Sequence, residues 1–177
     1  MKTDKTDIEL IQEFQDGNEE SFNALVERHL SNTYGFFVKI CQNEMDAEDL
    51  AQDVFLKMHR ALKKFRFESA FTTYLFRANR NMANSYIRNK WWRGLLNLED
   101  TPEKGEWDTS HETDWRKQEL WNAVAKLPKL QRNVVMMRIA QELPFKEISA
   151  ILNTTESSAK TSYHYAVKTL KIWLENE

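Results

Sequence analysis

The sequence predicts an all-α protein made of two helical domains. Three observations carry the prediction. Apolar residues recur at three- and four-residue steps along most of the 177 residues. Only 4 Gly and 3 Pro interrupt them, and no β-type alternation stands out. One stretch, residues 94–113, lacks helical periodicity and holds two of the four Gly, one Pro and six acidic groups against one Lys. It reads as a flexible acidic linker between a domain at 1–93 and a second at 114–177. Fully extended, it would reach at most about 70 Å.

Taken in order, Asp7 to Asp16 reads as the first helix, with Ile8, Ile11 and Phe14 on one side and Gly17-Asn18 ending it. Glu19 to Cys41 is the second, with Phe22, Leu25, Val26, Tyr34, Phe36, Phe37 and Ile40 apolar. Asp46 to Phe65 is the third. Its buried face is Ala47, Leu50, Ala51, Val54, Phe55, Met58, Ala61, Leu62 and Phe65. Acids crowd its first turn and bases its last, which complements the helix macrodipole. On its outer side Asp49, Gln52 and Asp53 share one face at i, i+3 and i+4.

A short Phe/Arg loop, Phe65 to Ala70, leads into the fourth helix, which ends near Asn89-Lys90 and is closed by Trp91-Trp92-Arg93-Gly94. Phe71, Tyr74, Leu75, Ala78, Met82, Tyr86 and Ile87 form its apolar face. Arg77, Arg80, Asn81, Asn84 and Arg88 lie on or near the others. Arginines, aromatics and amides interleaved in this way suit a single nucleic-acid strand, where cations hold phosphates and rings stack on bases.

In the second half, Asp114 to Lys126 is a helix stopped by Leu127-Pro128. Leu130 to Glu142 follows, then a break at Leu143-Pro144, then the short helix Phe145 to Leu152. Asn153-Thr154-Thr155 is a turn, with Thr155 placed to cap the last helix, Glu156 to Asn176. Ala159, Tyr163, Ala166, Val167, Leu170 and Leu174 are its expected inner face. Small polar and basic residues open its outer face. A short helix, a tight turn and a helix of this kind make a helix-turn-helix, whose second helix enters the major groove.

The net charge of −2 conceals an alternation. Residues 1–56 carry 4 basic and 13 acidic side chains, and residues 57–93 carry 10 and 1. Residues 94–122 carry 3 and 8, and residues 123–177 carry 8 and 5. Two positive surfaces for a polyanion are thus flanked by acidic ones that avoid it or meet a basic partner. Enzyme chemistry finds no support. His29, His59, His111, His164 and Cys41 are scattered without a ligand spacing, and no phosphate-cradling Gly loop occurs. No cofactor is expected. The lone Cys41 fits a reducing compartment, the N-terminus has no apolar signal core, and no apolar run approaches a membrane span. The expectation is a cytoplasmic protein with no membrane insertion.

Together the two halves resemble one family, the bacterial RNA polymerase sigma factors of the small extracytoplasmic-function (ECF) group. The resemblance covers about residues 8–93 and 114–174. It rests on DAEDLAQDVFLKMHRALKKF, FRFESAFTTYLFRANRNMANSYIR and LPKLQRNVVMMRIAQELPFKEISAILNTTESSAKTSYHYAVKTL, in that order. It implies that Asp49, Gln52 and Asp53, with Phe55, dock on the clamp helices of the polymerase core. It implies that Phe65, Arg66, Ser69 and Ala70 of the loop, with Asn81, capture a base flipped from the −10 element. Arg77, Arg80 and Arg88 would hold the adjoining phosphates. Glu156, Ser158, Lys160, Thr161 and His164 would read the −35 element. The implied partners are polymerase core, promoter DNA and an anti-sigma factor. This chain departs from the family pattern at several places. Tyr74 stands where Trp is usual, Ser157-Ser158-Ala159 where Gly-Thr-Val is usual, and Asn153 where Gly is common. Ser162 and Tyr165 occupy positions that are often arginine. The alternative is a free-standing helix-turn-helix regulator with a helical sensor domain, which would not explain a basic, aromatic helix far from the DNA reader.

Overall fold

The computed structural model of the chain describes the backbone of residues 5–95 and 109–175, and their side chains except at 91–95, 109–115, 117 and 118. Among the described residues there are eight helices and no strand. They are α1 (Asp7–Gln15), α2 (Glu19–Cys41), α3 (Glu44–Leu62), α4 (Phe71–Leu95), α5 (Thr109–Lys126), α6 (Lys129–Ile139), α7 (Phe145–Leu152) and α8 (Glu156–Glu175). The chain divides into two compact units, Met1–Asn79 and Arg80–Glu177, with the division inside α4. The expected linker lies largely outside the described residues, as do the side chains of Trp91 and Trp92. The backbone of α5 starts at Thr109, ahead of the expected Asp114, because its polar opening turn carries no apolar periodicity to betray it.

In the first unit, α1, α2 and α3 each start on a side-chain cap. Thr6 and Glu9 form a reciprocal capping box on α1, with the Thr6 N–H donating to Glu9 Oε2 at 2.7 Å. Asn18 accepts from the Glu20 N–H, and Asn43 from the Asp46 N–H. Gly17, at φ 101°, supplies the left-handed turn after α1. The core combines Leu10, Ile11 and Phe14 of α1, Leu25, Phe36 and Phe37 of α2, and Ala51, Val54, Phe55 and Leu62 of α3, all buried. Ile8, expected inside, is 53% exposed.

Helix α4 buries four of the seven expected residues and adds Asn79 and Ala83. Phe71, Leu75, Asn79, Met82, Ala83 and Ile87 are buried, while Tyr74, Ala78 and Tyr86 are only half-buried. An amide therefore occupies a place that apolar counting assigns to its neighbour Ala78. Asn79 Nδ2 donates to Thr33 Oγ1 of α2 at 3.5 Å, and Asn79 Oδ1 is buried without a partner.

The second unit holds the rest of α4 with α5–α8. Trp121, Val124, Leu127, Val134–Met137, Ile148, Ile151, Ala159, Ala166 and Leu170 form its core. Pro128 and Pro144, both extended, stand immediately before α6 and α7, where the missing N–H costs nothing. After α6, Glu142 adopts φ 57° and the Leu143 N–H returns to the Met137 carbonyl, which ends the helix short of the expected Glu142. On α8, Val167 is 41% exposed rather than inward, because it sits one residue off the Ala159–Ala166–Leu170 stripe.

Candidate nucleic-acid and partner interface

The outer face of α3 is built by its inner one. Ala47, Ala51, Val54, Phe55, Met58 and Leu62 fasten the helix to the core, so Asp49, Gln52 and Asp53 point to solvent. Gln52 Nε2 donates to Glu48 Oε1 at 3.4 Å, leaving a dense carboxylate surface. Phe55 does not share this surface. It is 6% exposed and supports the acidic face from beneath, because it lies on the 51–55–58–62 side of the helix. Sequence reasoning missed two apolar side chains of the exposed face, Met45 at 73% and Leu56 at 61% exposure. They stand four residues before Asp49 and three after Asp53. Their misfit with the buried spacing was the available signal.

The loop after α3 is also in the first unit. The last turn of α3 tightens, with the Lys64 N–H bonded to the Ala61 carbonyl and the Phe65 N–H to the Leu62 carbonyl. Gln15, at the end of α1, then donates through Nε2 to the carbonyls of Leu62 (2.8 Å) and Phe65 (3.0 Å). This bridge of one amide to two carbonyls fixes where the loop begins. Phe67 takes φ 58°, a left-handed conformation uncommon outside glycine. The turn gathers three rings, with Phe65 centred 5.2 Å from both Phe67 and Tyr74. Arg66 projects outward, 3.9 Å from Glu68, with both side chains about four-fifths exposed. Ser69 is half-buried and Ala70 exposed, and the Ala70 carbonyl accepts the Tyr74 N–H as α4 begins. Gln15 and Phe67 escaped sequence reasoning because a bridge across 47 residues and a left-handed phenylalanine leave no local pattern.

Arg77, half-buried, belongs to the first unit, and Arg80, Asn81 and Arg88 to the second. Asn81 is exposed, and its Oδ1 accepts from Arg80 Nε and Nη2 at 3.2 and 2.9 Å. Arg88 is exposed one turn beyond Asn84.

In the helix-turn-helix, Asn153 turns the chain at φ 51°, and the Ser158 N–H donates to Thr155 Oγ1 at 3.1 Å to cap α8. Tyr163 packs on Phe145 of α7 at 5.6 Å, and Arg138 of α6 stacks over the same ring at 5.2 Å. These contacts hold α8 with Glu156, Lys160, Thr161 and His164 exposed and Ser158 half-exposed. Lys160 Nζ is 2.7 Å from Glu156 Oε1, so two of the expected readers partly neutralise each other.

His29 and His59 serve structure. His29 bonds Asp7 at 2.9 Å and lies edge-on to Phe71, while His59 bonds Glu19 at 2.8 Å beside Phe14 and Phe22. Among the described residues no three His, Cys, Asp or Glu side chains converge as metal ligands, and no helix is long and apolar enough to cross a membrane.

Comparison with known proteins agrees with this layout. Residues 25–93 match the family described as Sigma-70 region 2, and residues 117–170 match Sigma-70, region 4. The chain is 34% identical to the RNA polymerase sigma-H factor of Pseudomonas aeruginosa over 87 residues, 49% of this chain and 45% of that protein. It is likewise 34% identical to the ECF RNA polymerase sigma-E factor of Haemophilus influenzae over 87 residues, 46% of that protein. The matched segment thus spans less than half the length of either relative. Against the ECF RNA polymerase sigma-E factor of Escherichia coli K12 the identity is 26% over 165 residues, 86% of each chain. In fold, the chain is similar to CnrH solved with the cytosolic domain of CnrY, at TM-score 0.66 and 21% identity over 97% of this chain and 98% of that one. It is also similar to the sigma factor RpoE of Bartonella quintana solved with the anti-sigma factor NepR, at TM-score 0.55 and 21% identity over 88% and 98%. With both sigma regions in order on one chain, the protein belongs to the sigma-70 family of RNA polymerase sigma factors, in its ECF group.

Proposed function

We propose that this chain is a promoter-recognition subunit, which binds RNA polymerase core and directs initiation at promoters with −10 and −35 elements. One observation carries the reading: a region 2 match with an exposed carboxylate face precedes, on one chain, a region 4 match with a capped helix-turn-helix. Asp49, Gln52 and Asp53 are the polymerase-docking face, and Met45 and Leu56 add apolar contacts at its two ends. Phe65, Arg66, Ser69 and Ala70 of the loop receive the flipped −10 base, and Asn81 is a further −10 contact. Flipping costs a few kcal/mol of stacking. The rings gathered at the loop offer a stacking surface, and Arg77, Arg80 and Arg88 supply phosphate contacts that offset the cost. Glu156, Ser158, Lys160, Thr161 and His164 read the −35 element. With arginine absent at Ser162 and Tyr165, the −35 side has a shallow salt dependence.

The chemistry is recognition and strand separation, without a catalytic step of the chain's own. The protein acts in the cytoplasm. Its acidic first 56 residues oppose DNA until polymerase covers them. An anti-sigma factor is a further partner, supported by the similarity to RpoE solved with NepR. The test is reconstitution with bacterial polymerase core on a library of promoter fragments. Specific transcripts that require the chain are expected. Asp49→Arg and Asp53→Arg should weaken core binding at least tenfold while the helical signal persists. Duplex binding by the chain alone, without any core binding, would overturn the reading in favour of a free-standing regulator.

A further inference from the structure

Within the second unit, one polar cluster lacks the charge that would balance it. Asn84 of α4 spends both amide hydrogens, donating to the Arg80 carbonyl at 3.0 Å and to Asn133 Oδ1 of α6 at 2.8 Å. Its Oδ1 accepts from Arg132 Nε at 2.9 Å. Arg132 Nη1 donates to the Ala125 carbonyl at 3.0 Å. Every acceptor of this half-buried guanidinium is therefore neutral, and no carboxylate among the described residues pairs with it. Arg88 follows Asn84 by four residues, so it projects from the same face one turn on, about 5–6 Å away at Cβ. A second cation thus stands beside the first. Burial pulls the Arg132 pKa below its usual value, and the Arg88 charge adds to the effect. A part-buried cation next to another, with no counter-ion, is costly unless an anion joins it.

We propose that Arg88 and Arg132 form a binding site for a phosphate group, with Asn84 and Asn133 as the fixed frame that aims Arg132. Arg132 has five N–H donors, of which two are engaged, and its remaining edge is free to hold two oxygens of a tetrahedral oxyanion. Arg88 closes over the other oxygens. Two guanidinium charges match phosphate, which carries between one and two negative charges at pH 7, better than a single carboxylate. Inorganic phosphate and the terminal phosphate of a nucleotide share this chemistry. The site shares Arg88 with the −10 phosphate contacts of the proposed function, but it is measured without polymerase or promoter DNA, so the two readings fail separately.

The experiment is isothermal titration of the full chain with inorganic phosphate at low ionic strength in a chloride buffer, followed by ADP. One phosphate per chain is expected. Arg88→Gln, a change at an exposed position that leaves the fold intact by circular dichroism, should weaken binding at least tenfold. Arg132→Lys keeps the charge but loses the fork, and should weaken it severalfold. ADP binding tighter than phosphate identifies a nucleotide as the source, and equal affinity identifies the free anion. No saturable phosphate binding, or binding unchanged in Arg88→Gln, overturns the proposal.

Discussion

Gln15 offers the sharpest test of how the loop after α3 is held. Replacing it with Ala removes the donations to the Leu62 and Phe65 carbonyls, at 2.8 and 3.0 Å. A typical hydrogen bond contributes about 1 kcal/mol net. The Leu62 carbonyl keeps its bond from the Phe65 N–H, and the exposed end of the bridge gains water, so the two losses fall short of full desolvation penalties. Alanine returns a few tenths of a kcal/mol as the better helix former. The balance is a destabilisation of about 1.5 kcal/mol. For a unit of 79 residues, 1 kcal/mol shifts the melting midpoint by about 4–8 °C, so the first unit should melt about 6–12 °C lower. Differential scanning calorimetry reads the midpoint, and hydrogen exchange reads the amides of Lys64 and Phe65, which should exchange faster. Promoter opening should slow while core binding is unchanged, because the outer face of α3 is untouched. A midpoint within about 1 °C of the parent, with those amides still protected, would refute the claim that Gln15 anchors the loop.

Thr33→Val should cost about 1–3 kcal/mol, because it strips the buried Asn79 amide of its hydroxyl partner and leaves both ends unsatisfied. Adding Asn79→Leu should recover most of that loss, and chemical denaturation of both variants would measure the coupling. The Glu13 carboxyl is held below its usual range by hydrogen bonds from Lys5 and then Ser21. A depressed folded-state pKa gives stability that is present above the ordinary carboxylate value and lost as pH falls through the folded one. Glu13→Gln should therefore flatten the decline in melting temperature between neutral pH and the acid side of 4.5, as melts across that range would show. Glu156→Gln should release Lys160 from its 2.7 Å pair and make the salt dependence of −35 duplex binding steeper by roughly one unit of slope. A salt titration of binding by fluorescence anisotropy measures it.

Helix α2 was legible to its ends because an Asn-capped acidic start and a long apolar stripe agree with one another. Helix α7 was equally clear between Pro144 and Asn153. Helix α4 was harder, and the reason is chemical. Periodicity counts apolar residues, and this helix buries Asn79 while leaving Tyr74 partly outside to join Phe65 at the loop. Its face was consequently misread at Tyr74, Ala78 and Tyr86, while Phe71, Leu75, Met82 and Ile87 were placed correctly. The same limit governs the candidate site. Asp49, Gln52 and Asp53 could be placed outward because the buried side of α3 is strongly marked, yet Phe55 was assigned to the docking face by resemblance when its spacing puts it in the core.

What remained hidden is long-range and polar. Gln15 reaches a loop 47 and 50 residues away, and Asn84 reaches Arg132 and Asn133 at separations of 48 and 49. Side-chain amides have no periodicity, and each can both donate and accept, so only the folded chain fixes which partner each takes. Hydrophobic burial decides that these helices form and roughly how they pack, since it follows area and is indifferent to direction. The amides decide register and aim. Under the proposed function one loop and a few arginines are placed against a nucleic-acid strand, which needs that second kind of precision. It is consistent that α4, with Asn79, Asn81 and Asn84 in six residues, is where the amides concentrate and where apolar counting failed. The substitution pair at Thr33 and Asn79 addresses this directly. If the all-apolar pair restores stability but impairs promoter opening, the buried amide serves placement. If it restores both, hydrophobic packing alone sets the register of α4.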